Sequence, residues 1–301
     1  MLLAVEIGNT HISVGGFDGD ELVFVAPIAT DPRRTAVQIA VELTQVFALL
    51  NVDRAQLRCA VVGSVVPSLT PCLLKALSLL GIADVLHVTS GVRTGLNIQI
   101  EQPRLLGCDL AANAVWACAH APMPCVIVDM GTATTFTLLD QSGTLIGTAI
   151  AAGVQMSMDA LKRGAAQLSE VRLTPPRHGV FGRNTAEAIQ AGVLLGAASM
   201  VEGMLNRYEE ALSQRPHVLL TGGAAPWIAP HLKVAVQHEA HLTLRGLCCI
   251  CLLYTSNGRR TPSLRRSSRP RPPVRTGVWA ALLPAAAAVA RPRAPWWYSP
   301  A

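Results

Sequence analysis

The sequence predicts an internally duplicated α/β fold with a cleft between its two halves. Three observations predict it. A buried strand runs into an acid and a Gly-containing turn at Glu6-Ile-Gly-Asn-Thr10. The same unit returns 123 residues later at Asp129-Met-Gly-Thr-Ala-Thr-Thr135. Each copy is followed by a hairpin signal and then by helical periodicity, the mark of a repeated supersecondary unit. Ligand sites commonly lie between such halves.

Leu2–Glu6 is a continuous apolar run ending in an acid, as a strand buried on both faces would be. Gly8-Asn9-Thr10 turns the chain, and His11–Phe17 resumes an extended pattern. Asp18-Gly19-Asp20 is a hairpin signal leading to a third strand, Glu21–Pro27. Apolar residues at helical spacing predict a helix over Thr35–Leu50. Cys59–Ser64 is a short buried strand, Ser68–Leu80 a helix and Asp84–Thr89 a strand. The second half repeats this order. Cys125–Val128 runs into Asp129, Gly131–Thr134 turns, and Thr135–Asp140 is a strand. Gln141-Ser142-Gly143 is the hairpin and Thr144–Ile150 the third strand. Thr185–Ser213 is a long helix. His217–Leu220 is a strand closing on Thr221-Gly222-Gly223, and Leu242–Leu244 starts a further strand. The boundaries read as a first domain over 1–118, a second over 119–247, and a tail over 248–301.

Of 301 residues, 50% are apolar and 15% charged, which excludes a disordered chain. The formal charge of +6 points toward nucleic acid, but its distribution argues against that partner. Residues 248–301 hold nine Arg and no Lys, Asp or Glu, leaving 16 basic against 19 acidic residues before them. The tail also holds eight of the 20 Pro. It reads as a non-native, disordered Arg/Pro-rich extension; a basic interaction arm is the alternative. Of the eight Cys, no pair before residue 248 has zinc-ligand spacing, and they read as buried small side chains in a reducing compartment. The N-terminus enters a strand within a few residues, which predicts no signal peptide. Val278–Ala290 is too short to span a bilayer and contains Pro284. The expectation is a cytoplasmic protein with no membrane partner.

A phosphoryl-transfer site needs donors for phosphate oxygens, carboxylates that anchor a cation, and a group that takes the acceptor's proton. Gly in a turn lets the backbone approach a phosphate closely. Glu6 with Gly8 and Asp129 with Gly131 both fit, and Thr221-Gly222-Gly223 ends a third strand. One such turn could be an ordinary β-turn; two equivalent copies and a third strand end are far more specific. Asp109 follows Pro103 and Gly107 and precedes a helix, so it can face the cleft from a helix start; the alternative is a simple N-cap. His11, His120, His178, His217, His231, His238 and His241 form no metal-ligand set. Trp116 and Trp227 read as core or interface, and Lys162 and Arg163 as a solvated helix face.

Glu6-Ile-Gly-Asn-Thr10, Gly107-Cys-Asp-Leu110, Asp129-Met-Gly-Thr-Ala-Thr-Thr135, Gly182-Arg-Asn-Thr185 and Thr221-Gly-Gly223 occur in one order and spacing. In this, residues 1–247 resemble type III pantothenate kinases of the acetate and sugar kinase/Hsc70/actin superfamily. The resemblance implies duplicated ribonuclease H-like (actin-like ATPase) domains. It also implies ATP-dependent phosphorylation of pantothenate to 4′-phosphopantothenate, the first step toward coenzyme A, by a homodimer. The implied cofactors are ATP with a divalent cation, Mg²⁺, and a monovalent cation, K⁺ or NH₄⁺. Glu6, Ile7, Gly8, Asn9, Thr10, His11, Ile12 and Ser13 would form the first phosphate loop. Thr132 would contact phosphate, and Gly222 and Gly223 would lie near the adenosine. Asp109 would be the general base and Asp129 the ligand of the monovalent cation. Ile100, Gly107, Cys108, Asp109, Leu110 and Thr185 would form the acceptor side, Thr185 near the subunit boundary. Four positions depart from the family pattern. Glu6 stands for Asp, Leu110 for an Arg that reaches the substrate carboxylate, Ile100 for an aromatic, and Ala152 for a Pro. A paralogue acting on another small alcohol, and a nucleotide-binding accessory protein without catalysis, stay open at this point.

Overall fold

The computed structural model describes residues 1–164, 171–176 and 178–256, all within one compact unit. The first half lays down β1 (Leu2–Ile7), β2 (His11–Asp18), β3 (Glu21–Ala29), α1 (Ala36–Leu49), β4 (Cys59–Ser64), α2 (Thr70–Leu79) and β5 (Asp84–His87). After α3 (Cys108–His120) come β6 (Cys125–Met130), β7 (Ala133–Leu139) and β8 (Leu145–Ala152). The chain continues with α4 (Val154–Gly164), α5 (Thr185–Leu212), β9 (His217–Thr221), α6 (Ala225–Ile228), β10 (Gln237–His238) and α7 (Leu242–Ser256).

The two sheets have the same topology. The first runs β3-β2-β1-β4-β5 and the second, written in the same sense, β8-β7-β6-β9-β10. In each, the leading strand pairs antiparallel with the next in sequence and parallel with the strand that follows the first crossover. The predicted duplication is therefore present strand for strand.

Alternation along each central strand fixes the layers. Leu3, Val5 and Ile7 share a core with Ile39, Leu43 and Phe47 of α1 and Leu73 and Leu77 of α2. The opposite face of the same sheet packs against α7: a Cβ on Gly15 would stand 3.0 Å from Leu244. In the second sheet, Val126, Val128 and Met130 face α4 and α5, whereas Cys125 and Ile127 face Ala114, Trp116 and Ala117 of α3. Helices α3 and α7 thus form a middle layer between the sheets, with α1 and α2 outside one and α4, α5 and α6 outside the other. The expected domain boundary at 118/119 falls inside α3, within this shared layer.

Local signals set the helix ends. Thr35 caps α1 through a reciprocal capping box with Gln38. Asn184 caps α5 by accepting from the Glu187 N–H at 2.9 Å. At α3 the cap is Gly107, not Asp109, which lies in the first helical turn. Lys162 and Arg163 end α4, where Lys162 reaches Asp159 at 3.9 Å on a partly exposed face. Helix α5 is long and apolar enough to cross a bilayer by composition, but Val193, Leu194, Val201 and Leu205 lie buried against the second sheet.

The C-terminal segment departs from expectation. Leu242–Leu244 is the start of α7, not a strand, and the helix continues past 247 to Ser256. Leu244, Leu247, Cys248 and Cys251 are buried at helical spacing. Gly246 lies against the Ala112 backbone, a crossing of α3 that leaves no room for a Cβ. The first nine residues of the expected tail are therefore part of the fold; residues 257–301 lie outside the described residues.

Candidate active site

The pleat that sends Ile7 into the outer core sends Glu6 toward the middle layer. Glu6 pairs in register with Ser13 on β2 and Gly63 on β4, and Gly63 faces Leu247 and the Cys108 thiol. In the second sheet the same alternation puts Asp129 on the face shared by Ile127 and α3. Both strand-end acids therefore look into one interlobe cleft of about 350 Å³. The β1–β2 turn lines it with Glu6, Gly8, Asn9, Thr10, His11 and Ser13. The β6–β7 turn contributes Asp129, Gly131 and Thr132, the end of β9 contributes Thr221, Gly222 and Gly223, and α3 contributes Asp109. Ile7 and Ile12 were expected in the phosphate loop, but both are buried in the outer core with α1 and α2. Strand alternation turns their side chains away from the cleft.

The two turns are each closed by a glycine amide: Gly8 donates to the His11 carbonyl and Gly131 to that of Ala133, both at 3.0 Å. Thr30 supports the first turn, donating from its hydroxyl to the Gly8 carbonyl at 2.8 Å and from its amide to that of Thr10 at 3.0 Å. Gly153, where α4 begins, packs against the carbonyls of Gly131 and Thr132, with no space for a Cβ. The Thr10 and Thr132 hydroxyls meet at 2.8 Å and join the turns across the cleft. Gly222 has φ +92°, and a Cβ there would sit 2.6 Å from Asp129 Oδ1, so this position needs glycine on both counts.

Three carboxyls converge without a compensating cation. Burial, then the neighbouring Asp129 and Asp109, pushes Glu6 up to about 8. Burial and Asp109 push Asp129 up to about 6, partly opposed by a hydrogen bond from Asn113. Burial also raises Asp109, opposed by backbone N–H groups of the first turn of α3. Among the described residues lining the cleft there is no Lys or Arg. Such a cluster fits a site that takes positive charge, because a bound cation removes both the desolvation cost and the mutual repulsion. It also suits proton transfer, since a raised carboxyl is a stronger base than an ordinary one.

The expected acceptor residues are scattered by comparison. Gly107 caps α3, and a side chain there would collide with the Asp109 carboxylate. The Cys108 thiol is pushed up to about 12 by burial, then by Asp109 and Glu6. Leu110 is 7% exposed and does not line the cleft. Ile100 packs with Leu96 and Ile98 on the α3 side of the second sheet. Thr185 opens onto a separate groove of about 540 Å³ between α4 and α5, lined by Ala188, Gly192 and Gly196. The loop before α5 is tied to it through Glu187, which meets His178 Nδ1 at 2.8 Å and accepts from the Arg183 N–H at 3.1 Å.

Four contributors, on two helices, escaped the sequence reading. His241, Thr243 and Leu244 at the start of α7 line the cleft; their signal was the helical spacing that continues through Cys251. Asn113 donates from Nδ2 to Asp129 Oδ2 at 3.1 Å. Its signal was a lone amide, four residues after Asp109, on an otherwise apolar helix.

Two solved structures share this fold. The activator of 2-hydroxyisocaproyl-CoA dehydratase from Clostridium difficile, with bound ADPNP, has a TM-score of 0.53 at 12% identity, covering 89% of this chain and 99% of its own. The (R)-2-hydroxyglutaryl-CoA dehydratase component A of Acidaminococcus fermentans gives 0.50 at 18% identity, covering 85% and 98%. At the sequence level, a type III pantothenate kinase of Paramagnetospirillum magneticum is 38% identical over 248 residues, 82% of this chain and 95% of that protein. One from Streptomyces avermitilis is 37% identical over 269 residues, covering 87% and 100%. The model of the type III pantothenate kinase family matches residues 2–207. With both glycine turns, the central aspartate and the duplicated sheets all in place, this chain belongs to the type III pantothenate kinase family.

Proposed function

We propose that this protein transfers the γ-phosphoryl group of ATP to the primary hydroxyl of pantothenate, giving 4′-phosphopantothenate in the cytoplasmic route to coenzyme A. Family membership sets the reaction, and one observation carries it onto this chain: Glu6, Asp109 and Asp129 converge beside two glycine turns joined by Thr10 and Thr132. Asp109 takes the proton of the hydroxyl as its oxygen attacks the γ-phosphorus; burial in the first turn of α3 equips it as the base. The hydroxyls of Thr10 and Thr132 hold phosphate oxygens, and Gly222 and Gly223 leave room for the adenosine. Glu6 would hold a divalent cation, Mg²⁺, and Asp129 a monovalent one, K⁺ or NH₄⁺. Bound there, these ions would supply positive charge to offset the negative charge of the transferring phosphoryl group.

The second copy of a homodimer belongs to this reading. Thr185 lies away from the cleft of its own chain, on a groove of small residues, and Val180 and Phe181 just before it are exposed. An apolar surface of this kind suits a subunit contact. The test is ADP release with ATP, Mg²⁺ and KCl, with and without pantothenate. Pantothenate-dependent ADP is expected; ATP binding without it would overturn the reading.

A second acceptor is favoured by a specific observation. Leu110 is buried at the position where the resemblance implies an Arg, and no guanidinium lines the described cleft to meet a carboxylate. A neutral primary alcohol turned over faster than pantothenate in the same assay would establish that alternative.

A further inference from the structure

We propose that Asn113 is a positioning residue that holds Asp129 ready to capture a monovalent cation, an inference that rests on the kinase reading above. Asn113 is 0% exposed on α3, and its Nδ2 donates to Asp129 Oδ2 at 3.1 Å. Its Oδ1 has no hydrogen-bond partner among the described residues. A buried amide with one arm unsatisfied costs stability, and the surrounding helix, Ala111-Ala-Asn-Ala-Val115, is otherwise apolar. An aliphatic side chain of the same size would pack there without that cost. The amide is therefore explained by what it does to Asp129 rather than by what it adds to the core.

Asn113 holds Asp129 Oδ2, and Oδ1 lies where a side chain on Gly222 would stand, so the carboxylate is confined on that side as well. Without the amide, repulsion from Asp109 would favour rotation of the carboxylate away from the cluster. With it, the carboxylate keeps one orientation before any ion arrives. Residues four apart share a helix face, so α3 carries the base Asp109 and the anchor Asn113 on one rigid element. The proton acceptor and the cation-holding carboxylate are then set relative to one another by a single helix.

The experiment compares wild type with Asn113→Leu in KCl titrations, with choline chloride keeping ionic strength constant. Thermal stability and pantothenate-dependent turnover are both read. The expected result is a cation-free melt that stays cooperative and a half-saturating KCl raised roughly ten- to hundredfold, the usual effect of removing a residue that orients a metal ligand. Turnover should recover toward wild type at saturating KCl. Asn113→Ser, which removes the amide and leaves room for a water, should show the same shift and serves if the Leu variant fails to fold. Unchanged half-saturation in a folded variant overturns the proposal. So does a wild type whose melt and turnover ignore KCl; the kinase reading is then judged separately, by pantothenate-dependent ADP release.

Discussion

The Thr10 and Thr132 hydroxyls stand 2.8 Å apart, joining two turns separated by 122 positions in the chain. Each belongs to one copy of the duplicated unit, so the contact spans the cleft from lobe to lobe. Phosphate oxygens entering between the turns would replace this hydrogen bond with bonds to themselves. Thr132→Val keeps the shape and removes the hydroxyl. It is expected to raise the KM for ATP roughly ten- to hundredfold, the value of one hydrogen bond to a charged group. An unchanged KM would place the phosphates elsewhere.

Asp109→Asn is isosteric and keeps the packing of the first turn of α3. Loss of general-base catalysis should lower kcat by roughly 10²- to 10⁴-fold. ATP affinity, measured by calorimetry, should stay within about threefold, because one negative charge fewer in the cluster changes binding much less than it changes proton transfer. Wild-type kcat in this variant would remove Asp109 from the mechanism.

The carboxyl cluster predicts an inverted pH dependence of stability. Glu6 ordinarily titrates near 4.5 and in the fold near 8, so the folded state binds its proton more tightly. That contribution is fully present below about pH 4.5 and is lost as pH rises through about 8. Asp129, raised to about 6, adds a loss of the same sign at lower pH. The cation-free protein should therefore melt at progressively lower temperature from pH 5 to 8.5, and MgCl₂ should reverse the trend. Glu6→Gln should flatten the slope and weaken the MgCl₂ response. A slope that Glu6→Gln leaves intact would assign the effect to other groups.

Helix α7 is the element whose nativeness the sequence put in question. Gly246→Ala places a Cβ against the Ala112 backbone and forces α3 and α7 apart. The expected cost is about 1–3 kcal/mol, as for other overpacked contacts. Because α3 carries Asp109 and Asn113, kcat should fall along with the melting temperature. Truncation after Leu247 would strip Cys248, Ile250 and Cys251 from the core, and no cooperative melt is expected. A truncated protein that melts like the full chain would make α7 dispensable beyond its first turns.

The sequence by itself determined nine of the ten strands, the duplicated turns and the helix that presents Asp109. These are written locally: β4 spans Cys59–Ser64 and α5 starts at Thr185 because period and capping residues sit within a few positions of one another. It also held, unused, the alternation that sends Ile7 and Ile12 to the outer core and Glu6 to the cleft. Only the tertiary structure decided the rest. Asn113 meets Asp129, Thr10 meets Thr132, and Gly246 meets Ala112 through packing of elements far apart in the chain. Thr185 is separated from Asp109 for the same reason. Leu242–Leu244 reads as a strand in isolation, because three residues cannot tell one period from another. It becomes a helix because burying Leu244, Leu247, Cys248 and Cys251 between two sheets requires one face of a helix.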